Sequence, residues 1–511
     1  MTERMDRGQG GPGTAARRGG ARAWRREVAG RRGGAGAGLR EVAGRRGGAG
    51  LRGVVRGAVY EPGDDGYDAA RRGNPRVDSR ATAAVEARGA GEVRAAAVVE
   101  ACGAGEVRAA VGWARAAGVR VAVQATGHGG DGPADGALLV RTSRMTGVLI
   151  DPDRRVARVG PGTRWGEVID AAAPLGLAPL SGSSADVGVA GYTLGGGLGW
   201  LSRRHGFAAD SLLRADLVTA DGRLVTASRD RHPDLFWALR GGGGNFGVVT
   251  SLEFRLYPAA TVYAGIAYFG WERAADTLAR YREWSALEPA ALTTAVVLVA
   301  EPPGPSVPGP ALAIRALYLG AADDARRALR PLWDAAGTPV RDGMSERRFA
   351  QTRGIPAVAP RNFELAARLP DPLIGDLIRA VDPAGQTGTA AVEVRHWGGA
   401  MAHAGPDAGP VGHRDVPFSV IVNGPAEAAA PVRAYATGGS FLNFLHDAER
   451  TPDAYTPADY RRLREVKRAW DPDNVFGLGR NIPPAAEDRP AAGGRAAAQG
   501  RTAAGLLAAG R

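Results

Sequence analysis

Among 511 residues the chain has a single cysteine, Cys102, and a single lysine, Lys467. One thiol excludes an internal disulfide framework and any multi-thiolate metal site. The seven histidines show no H-E-x-x-H or comparable ligand spacing, so no metal is expected. No apolar run approaches the roughly 18 residues that span a bilayer, and no membrane partner is expected. A P-loop is excluded because the only lysine lies in a late helical stretch. Twin arginines at Arg17-Arg18, Arg25-Arg26 and Arg31-Arg32 are followed by no apolar segment, which argues against an export signal and for a cytoplasmic protein. The net charge of +12 suggests nucleic acid until it is mapped. Residues 1–57 hold 14 arginines against 4 acids, and residues 485–511 hold 4 against 2. The two ends account for the whole excess, so no nucleic-acid partner follows.

Residues 1–51 are Gly, Ala and Arg almost without apolar periodicity, a composition that cannot offset the entropy of ordering. They read as a disordered extension, and residues 485–511 as a disordered tail. The stretch 26–36 recurs unchanged at 40–50, and 85–96 recurs at 99–110 with Arg88 against Cys102. Neither reaches a third copy, so these are local duplications and not a solenoid. Between the ends the patterning is α+β with mixed sheets. Helical spacing over 105–118 runs into a strand at 119–123. Short strands follow at 137–140, 147–151 and 155–160, then a helix at 165–173. Residues 212–219 and 224–227 form a hairpin about Asp221-Gly222, with a short helix at 234–240 and a strand at 247–256. From about Tyr257 the texture changes. Longer helices at 274–287 and 322–336 alternate with strands at 295–300, 312–319, 391–396 and 418–423. A helix at 460–470 closes the ordered chain.

Two stretches carry the chemistry. Residues 121–130 are an apolar run that opens into small residues with His128 at the bend, and residues 181–199 are nearly free of bulk and charge. Backbone without side chains approaches a ligand closely, and successive N–H groups in such turns form concave anion sites. Two such segments point to a pyrophosphate-bearing cofactor, read here as a flavin. A lone histidine after a strand is most often a surface or capping residue. Here Gly127, Gly129 and Gly130 strip away steric cover, and the neutral imidazole is a nucleophile able to bond a cofactor covalently. Residues 195–199 would make a flexible loop, but their neighbours Tyr192, Leu194, Leu198 and Trp200 argue for packed backbone. Residues 242–247 satisfy G-x-G-x-x-G, yet a helix precedes and a strand follows, the reverse of the dinucleotide-binding context.

The strand and turn ending Gly127-His128-Gly129, the segments 159–165, 187–199 and 234–249, and the closing Trp470-Asp471-Pro472-Asp473-Asn474-Val475-Phe476 with Asn481-Ile482-Pro483 occur in a characteristic order. On these motifs residues 51–484 resemble the PCMH-type (vanillyl-alcohol-oxidase) FAD superfamily, in its berberine-bridge-enzyme-like and 6-hydroxy-nicotine-oxidase-like branch. The resemblance implies an α+β fold: a two-part FAD-binding domain (52–257 and the returning segment 440–484) with an inserted α+β substrate domain (258–439), an antiparallel sheet backed by helices. It implies FAD attached covalently through His128 to the flavin 8α-methyl. It places Gln124, Ala125, Thr126, Gly127, Gly129, Gly130, Ser183, Val187, Gly188, Gly191, Tyr192, Gly195, Gly196, Gly247, Val249 and Asn481 at the cofactor, Val249 meeting the adenine end through its backbone.

Departures from the family pattern bear on the chemistry. Relatives that hold FAD twice have a cysteine where this chain has Ser184, so double attachment is excluded. Sugar-oxidising relatives have tyrosines where Leu198 and Phe441 stand, and the acid of plant relatives has no counterpart near Gly405-Pro406. No general base carries over, although Tyr263, Tyr318, Glu393 or His396 could supply one. The expected function is an oxidase that passes hydride from a small organic substrate to flavin N5 with O2 as acceptor. The missing base and the apolar replacements favour an amine over a free sugar. The alternative is a flavin-binding homologue without oxidase turnover.

Overall fold

The computed structural model describes residues 48–53, 55–71, 97–129, 134, 136–302, 307, 309–381 and 387–486. The terminal stretches before 48 and after 486, the first copy of the second duplication (85–96) and Gly130 lie outside the described residues. The extension expected to reach residue 51 ends sooner. Gly48–Arg52 is helical, and Leu51 is fully buried beside Val55, Val99 and Val107.

The first sheet has the order β1-β2-β4-β3, from β1 (Val59–Tyr60), β2 (Ala97–Glu100), β3 (Val121–Gln124) and β4 (Leu138–Arg141). β4 runs parallel to both β2 and β3, so β2 and β3 need a crossover connection. The helix Ala104–Ala117 supplies it, burying Val107, Ala110, Val111 and Ala114 on one face. It stops at Gly118, whose φ of 69° lets its N–H close onto the last carbonyls. The second sheet is antiparallel, in the order β5-β6-β10-β8-β9. Its strands are β5 (Val148–Asp151), β6 (Val156–Val159), β8 (Leu212–Val218), β9 (Leu224–Ser228) and β10 (Val248–Arg255). The expected hairpin β8–β9 forms, with Thr219 Oγ1 donating to Asp221 Oδ1 at 2.6 Å. A small ladder pairs β7 (Leu177–Ala178) with β11 (Tyr257–Pro258) at the point where the texture of the sequence changes.

The third sheet has eight antiparallel strands. They are β12 (Thr261–Gly270), β13 (Leu292–Val299), β14 (Ala311–Tyr318), β15 (Arg341–Asp342), β16 (Ser345–Arg348), β17 (Asn362–Ala366), β18 (Ala391–His396) and β19 (Phe418–Asn423). The order is β15-β12-β14-β13-β18-β19-β17, with β16 also on β12. Helices Ala274–Trp284, Ala322–Ala336 and Asp371–Ala380 cover one face over Val296, Ile314, Val392, Val394 and Val420. Part of the other face packs against the glycine-rich segment, where Phe363, Leu365 and Ile421 meet Leu198, Phe207 and Phe441. The sheet is therefore covered on both sides, and its strands lose the polar alternation that identifies a half-exposed strand. Among the described residues no helix is long and apolar enough to cross a membrane.

The closing segment folds back onto the first two sheets. The helix Pro457–Trp470 is capped by Thr456 Oγ1, which accepts from Asp459 N–H at 3.1 Å, and it carries Lys467 into the core. Val475 then accepts from the Val121 N–H of β3 at 2.9 Å.

His205 ends the short helix after the glycine-rich segment and stacks on Tyr257, centroids 3.9 Å apart. Burial and then the neighbouring Arg204 charge lower its pKa to about 4. The folded state thus binds fewer protons than the unfolded chain between pH 6.5 and 4, so this contribution is complete above pH 6.5 and is lost as pH falls towards 4. His205→Phe is expected to flatten the fall of melting temperature over that window. An unchanged slope would show that other groups set the acid sensitivity.

Candidate functional site

The two glycine-rich stretches meet. β3 leads into a turn in which Gly127 has φ 78° and His128 is exposed. The segment leading from Ser183 is aligned by backbone bonds to residues 163–166: Trp165 N–H to Val187 O at 3.0 Å, Gly166 N–H to Ala185 O at 2.9 Å and Val189 N–H to Thr163 O at 2.9 Å. That alignment presses Gly188 onto Thr126, where a Cβ on the glycine would lie 2.5 Å from the Thr126 Oγ1. Gly188→Ala is therefore expected to push the His128 turn outward at about 1–3 kcal/mol and to lower the flavin bound per protein. The double variant Gly188→Ala/Thr126→Gly should restore it. Equal loading of parent and single variant would remove this contact from the site.

His128 is solvent-accessible, yet enough protein surrounds it for desolvation to hold its imidazole pKa below the ordinary value. The Asp186 carboxylate raises that pKa and the Arg164 guanidinium lowers it further. Arg164 and Asp186 face each other at 3.5 Å. At neutral pH the ring is neutral, with a lone pair on one nitrogen.

The remaining expected positions separate into groups. Gln124 is buried, and its carbonyl accepts from Thr142 N–H at 2.9 Å. Ala125 is half-buried beside it. A Cβ on Gly129 or on the exposed Gly191 meets nothing within 4 Å, so backbone is open there. Val189–Leu194 is a short helix. Tyr192 is a packing residue: its ring fills the space left by Gly182, Gly197 and Gly199 and meets Trp165 edge-on at 5.4 Å. Its buried hydroxyl has no partner, and burial pushes its pKa up. Gly195 and Gly196 back onto Asn443 and Phe441. Asn443 accepts from Gly197 N–H at 2.9 Å and donates to Tyr192 O at 3.1 Å, which fixes the turn. Gly247 lets β10 start beside Val218, whose carbonyl a Cβ would meet at 2.6 Å. Val249 pairs with Leu217 just before a bulge at Thr250, its side chain in the core. Asn481 leaves a buried Oδ1 unpaired. Its neighbour Ile482 is held by Asn245, so this group lies with the 242–247 turn.

FAD fits these surroundings. Backbone is open at Gly129 and Gly191, and among the described residues Thr142, Ser181 and Asn481 each keep a buried polar atom without a partner, which supplies the close approach and the free hydrogen-bonding capacity that a large polar cofactor needs.

The facing wall was missed in the sequence. Across the third sheet the register places Ile266, Arg315, Ala295, Arg395 and Ser419 in one row, with Tyr268, Ala313, Val297, Glu393 and Ile421 in the next. Arg315 and Arg395 flank Ala295, and both pair with Glu393, Arg395 at 2.6 Å. Arg315 also donates to Ser183 Oγ at 3.3 Å and lies over the Trp200 ring at 4.9 Å. The wall therefore reaches the glycine-rich segment. Charges two residues apart in the otherwise apolar strand AVEVRH were the available signal, since they must share a buried face.

This register also corrects the candidate bases. Burial alone would raise the Glu393 pKa, but the Arg395 and Arg315 charges outweigh it and hold the carboxyl below the usual range, which makes it a weak base. His396 points to the helix-covered face, bonded to Glu288 Oε2 at 2.6 Å and Arg203 at 2.9 Å. Tyr263 and Tyr318 pack with that same face. Tyr268 is the tyrosine of β12 on the charged wall. The expected apolar face is also only partial: Leu198 and Phe441 belong to an apolar cluster with Phe363, Trp397 and Ile421, beside the charged residues.

Comparisons with known proteins agree with this architecture. The family model described as FAD binding domain matches residues 95–228, and the one described as Berberine and berberine like matches 440–483. The chain is 30% identical to (R)-6-hydroxynicotine oxidase of Paenarthrobacter nicotinovorans over 84% of its own length and 97% of that protein. A 43% identity to xylooligosaccharide oxidase of Thermothelomyces thermophilus covers 29% of the chain and 31% of that protein. The crystal structure of 6-hydroxy-D-nicotine oxidase from Arthrobacter nicotinovorans superposes with a TM-score of 0.70 at 26% identity, over 84% of this chain and 98% of that one. Berberine bridge enzyme from Eschscholzia californica shares the fold, with a TM-score of 0.71 at 19% identity over 88% and 99%. The chain is an FAD-dependent enzyme that belongs to the berberine-bridge-enzyme-like branch of the PCMH-type FAD-linked oxidoreductases.

Proposed function

We propose that this enzyme is an oxidase whose FAD is bonded through His128 alone and which dehydrogenates a small amine with O2 as acceptor. The observation that carries the reading is the convergence at Gly188 and Thr126, which sets an exposed, neutral imidazole beside open backbone. The bound flavin supplies the hydride acceptor and passes the electrons to oxygen. The protein supplies attachment, position and charge. The turn 124–129 and the segment 183–191 hold the cofactor, Asn245 orders the turn that carries Asn481, and the wall of the third sheet receives substrate between the two. The balance is one C–H hydride and one N–H proton lost by the amine, leaving C=N, with O2 reduced to H2O2. An amine suits a site whose buried carboxylate, engaged by two arginines, is a poor base. The nitrogen lone pair stabilises the carbon as hydride leaves, with no base needed in that step.

Anaerobic mixing with a panel of amines and alcohols tests the reading: an amine should bleach the flavin, and admitted air should restore the colour with one equivalent of peroxide. The second reading, a flavin protein without oxidase turnover, draws on the pairing of Glu393 and His396 with other charged groups. No bleaching by any compound, or bleaching without peroxide, would favour it. The lone cysteine supports a cytoplasmic setting.

A further inference from the structure

We infer that the substrate carries a carboxylate, received by Arg395, and an apolar portion lodged against Phe363 and Ile421. The inference rests on the reading above that substrate enters between the glycine-rich segment and the third sheet.

The charges on that wall do not balance. Two guanidiniums, Arg315 and Arg395, share one carboxylate, Glu393, and all three are inside the protein: their side chains are 2%, 13% and 1% exposed. A buried cation without a counter-charge is costly, and an anion brought to it is correspondingly favoured. Arg315 is spent: one end of its fork binds Glu393, another N–H reaches Ser183, and the Trp200 ring lies under it. Arg395 makes a single hydrogen bond, to Glu393 Oε1, and its guanidinium has five N–H groups. It is also the more exposed of the pair, and its charge reaches the Tyr192 hydroxyl.

Unpaired donors stand near this point. Among the described residues Tyr192 OH and Trp200 Nε1 are buried without acceptors, and both can donate. A set of donors around a surplus positive charge matches a carboxylate, which accepts at two oxygens and pairs with a guanidinium fork. An ammonium or a neutral sugar would leave them unmatched. In the neighbouring row the sheet turns apolar: Glu393 is followed by Ile421 on β19 and Phe363 on β17, backed by Trp397 and Phe441. A ligand lying across the two rows would meet the Arg395 charge at one end and aromatic surface at the other.

The test uses flavin-loaded protein and matched pairs that differ only in charge: benzoate against benzamide, and an aryl-substituted amino acid against its methyl ester. Benzoate should perturb the flavin absorbance saturably and benzamide should not, and the acid should bleach the flavin faster than the ester. Arg395→Leu should weaken benzoate about 10- to 100-fold, the loss of one charge-assisted pair, and erase the preference for acid over ester. Arg395→Lys should restore part of both. Equal response to acid and neutral partners in the parent, or an intact preference in Arg395→Leu, would overturn the inference while leaving the oxidase reading in place. A lower affinity of the Arg395→Leu flavin for sulfite, with benzoate binding unchanged, would assign the charge to the cofactor and also overturn it. If no compound of either charge bleaches the flavin, the oxidase reading fails first and the inference with it.

Discussion

Lys467→Met is expected to lower stability by about 3–5 kcal/mol, the usual result of removing one member of a buried ion pair. Lys467 donates to Asp471 Oδ2 at 2.6 Å and to Asn245 O at 2.7 Å, with both charged side chains fully buried. Burial lowers the lysine pKa and the Asp471 charge opposes that shift. Asp471 in turn accepts the N–H groups of Val475 and Phe476 at 2.7 and 2.9 Å. Asn245 donates to Gly242 O and Arg480 O and accepts from Ile482 N–H. Methionine would fill most of the volume but strand an aspartate in the core, its remaining partners the N–H groups of Val475 and Phe476. Urea unfolding followed by tryptophan fluorescence measures the effect. A midpoint equal to that of the parent would mean that backbone packing alone holds the closing segment.

The second large effect is chemical. After precipitation in acid the parent protein should keep its yellow colour in the pellet, whereas His128→Ala should release all of its flavin to the supernatant. The histidine is suited to this by the lowered pKa that leaves its lone pair free at neutral pH. Ser184, the only position where a second tether would be sought, is an exposed hydroxyl, a poor nucleophile beside a thiolate. His128→Ala should still bind FAD before denaturation, because Gly129, Gly191 and Asn481 are untouched. A yellow supernatant from the parent would end the covalent assignment.

What could be read in advance depended on how far apart the partners lie. Helix 322–336 and the strands 391–396 and 418–423 appear at their expected bounds, since each carries its pattern locally. β12 was missed because TVYAGIAYFG is apolar on both faces and broken by Gly265. Half of the site was legible: glycine beside histidine is a local signal. The charged wall was not, because Arg315, Glu393 and Arg395 come together only through the register β14-β13-β18, and no stretch of sequence states a register. Lys467 was legible only as an oddity, the one lysine of the chain, and its partner Asn245 lies far upstream.

The bond from Val121 to Val475 has a consequence for the order of events in the cell. The strand that leads into His128 gains one edge partner from residues made after the whole third sheet, and the turn beside Asn481 waits on Lys467 and Asp471 in the same way. Most of the chain, including the whole third sheet, has left the ribosome before the cofactor's walls can close. The cofactor's walls are therefore complete only once residues 467–482 have joined the fold.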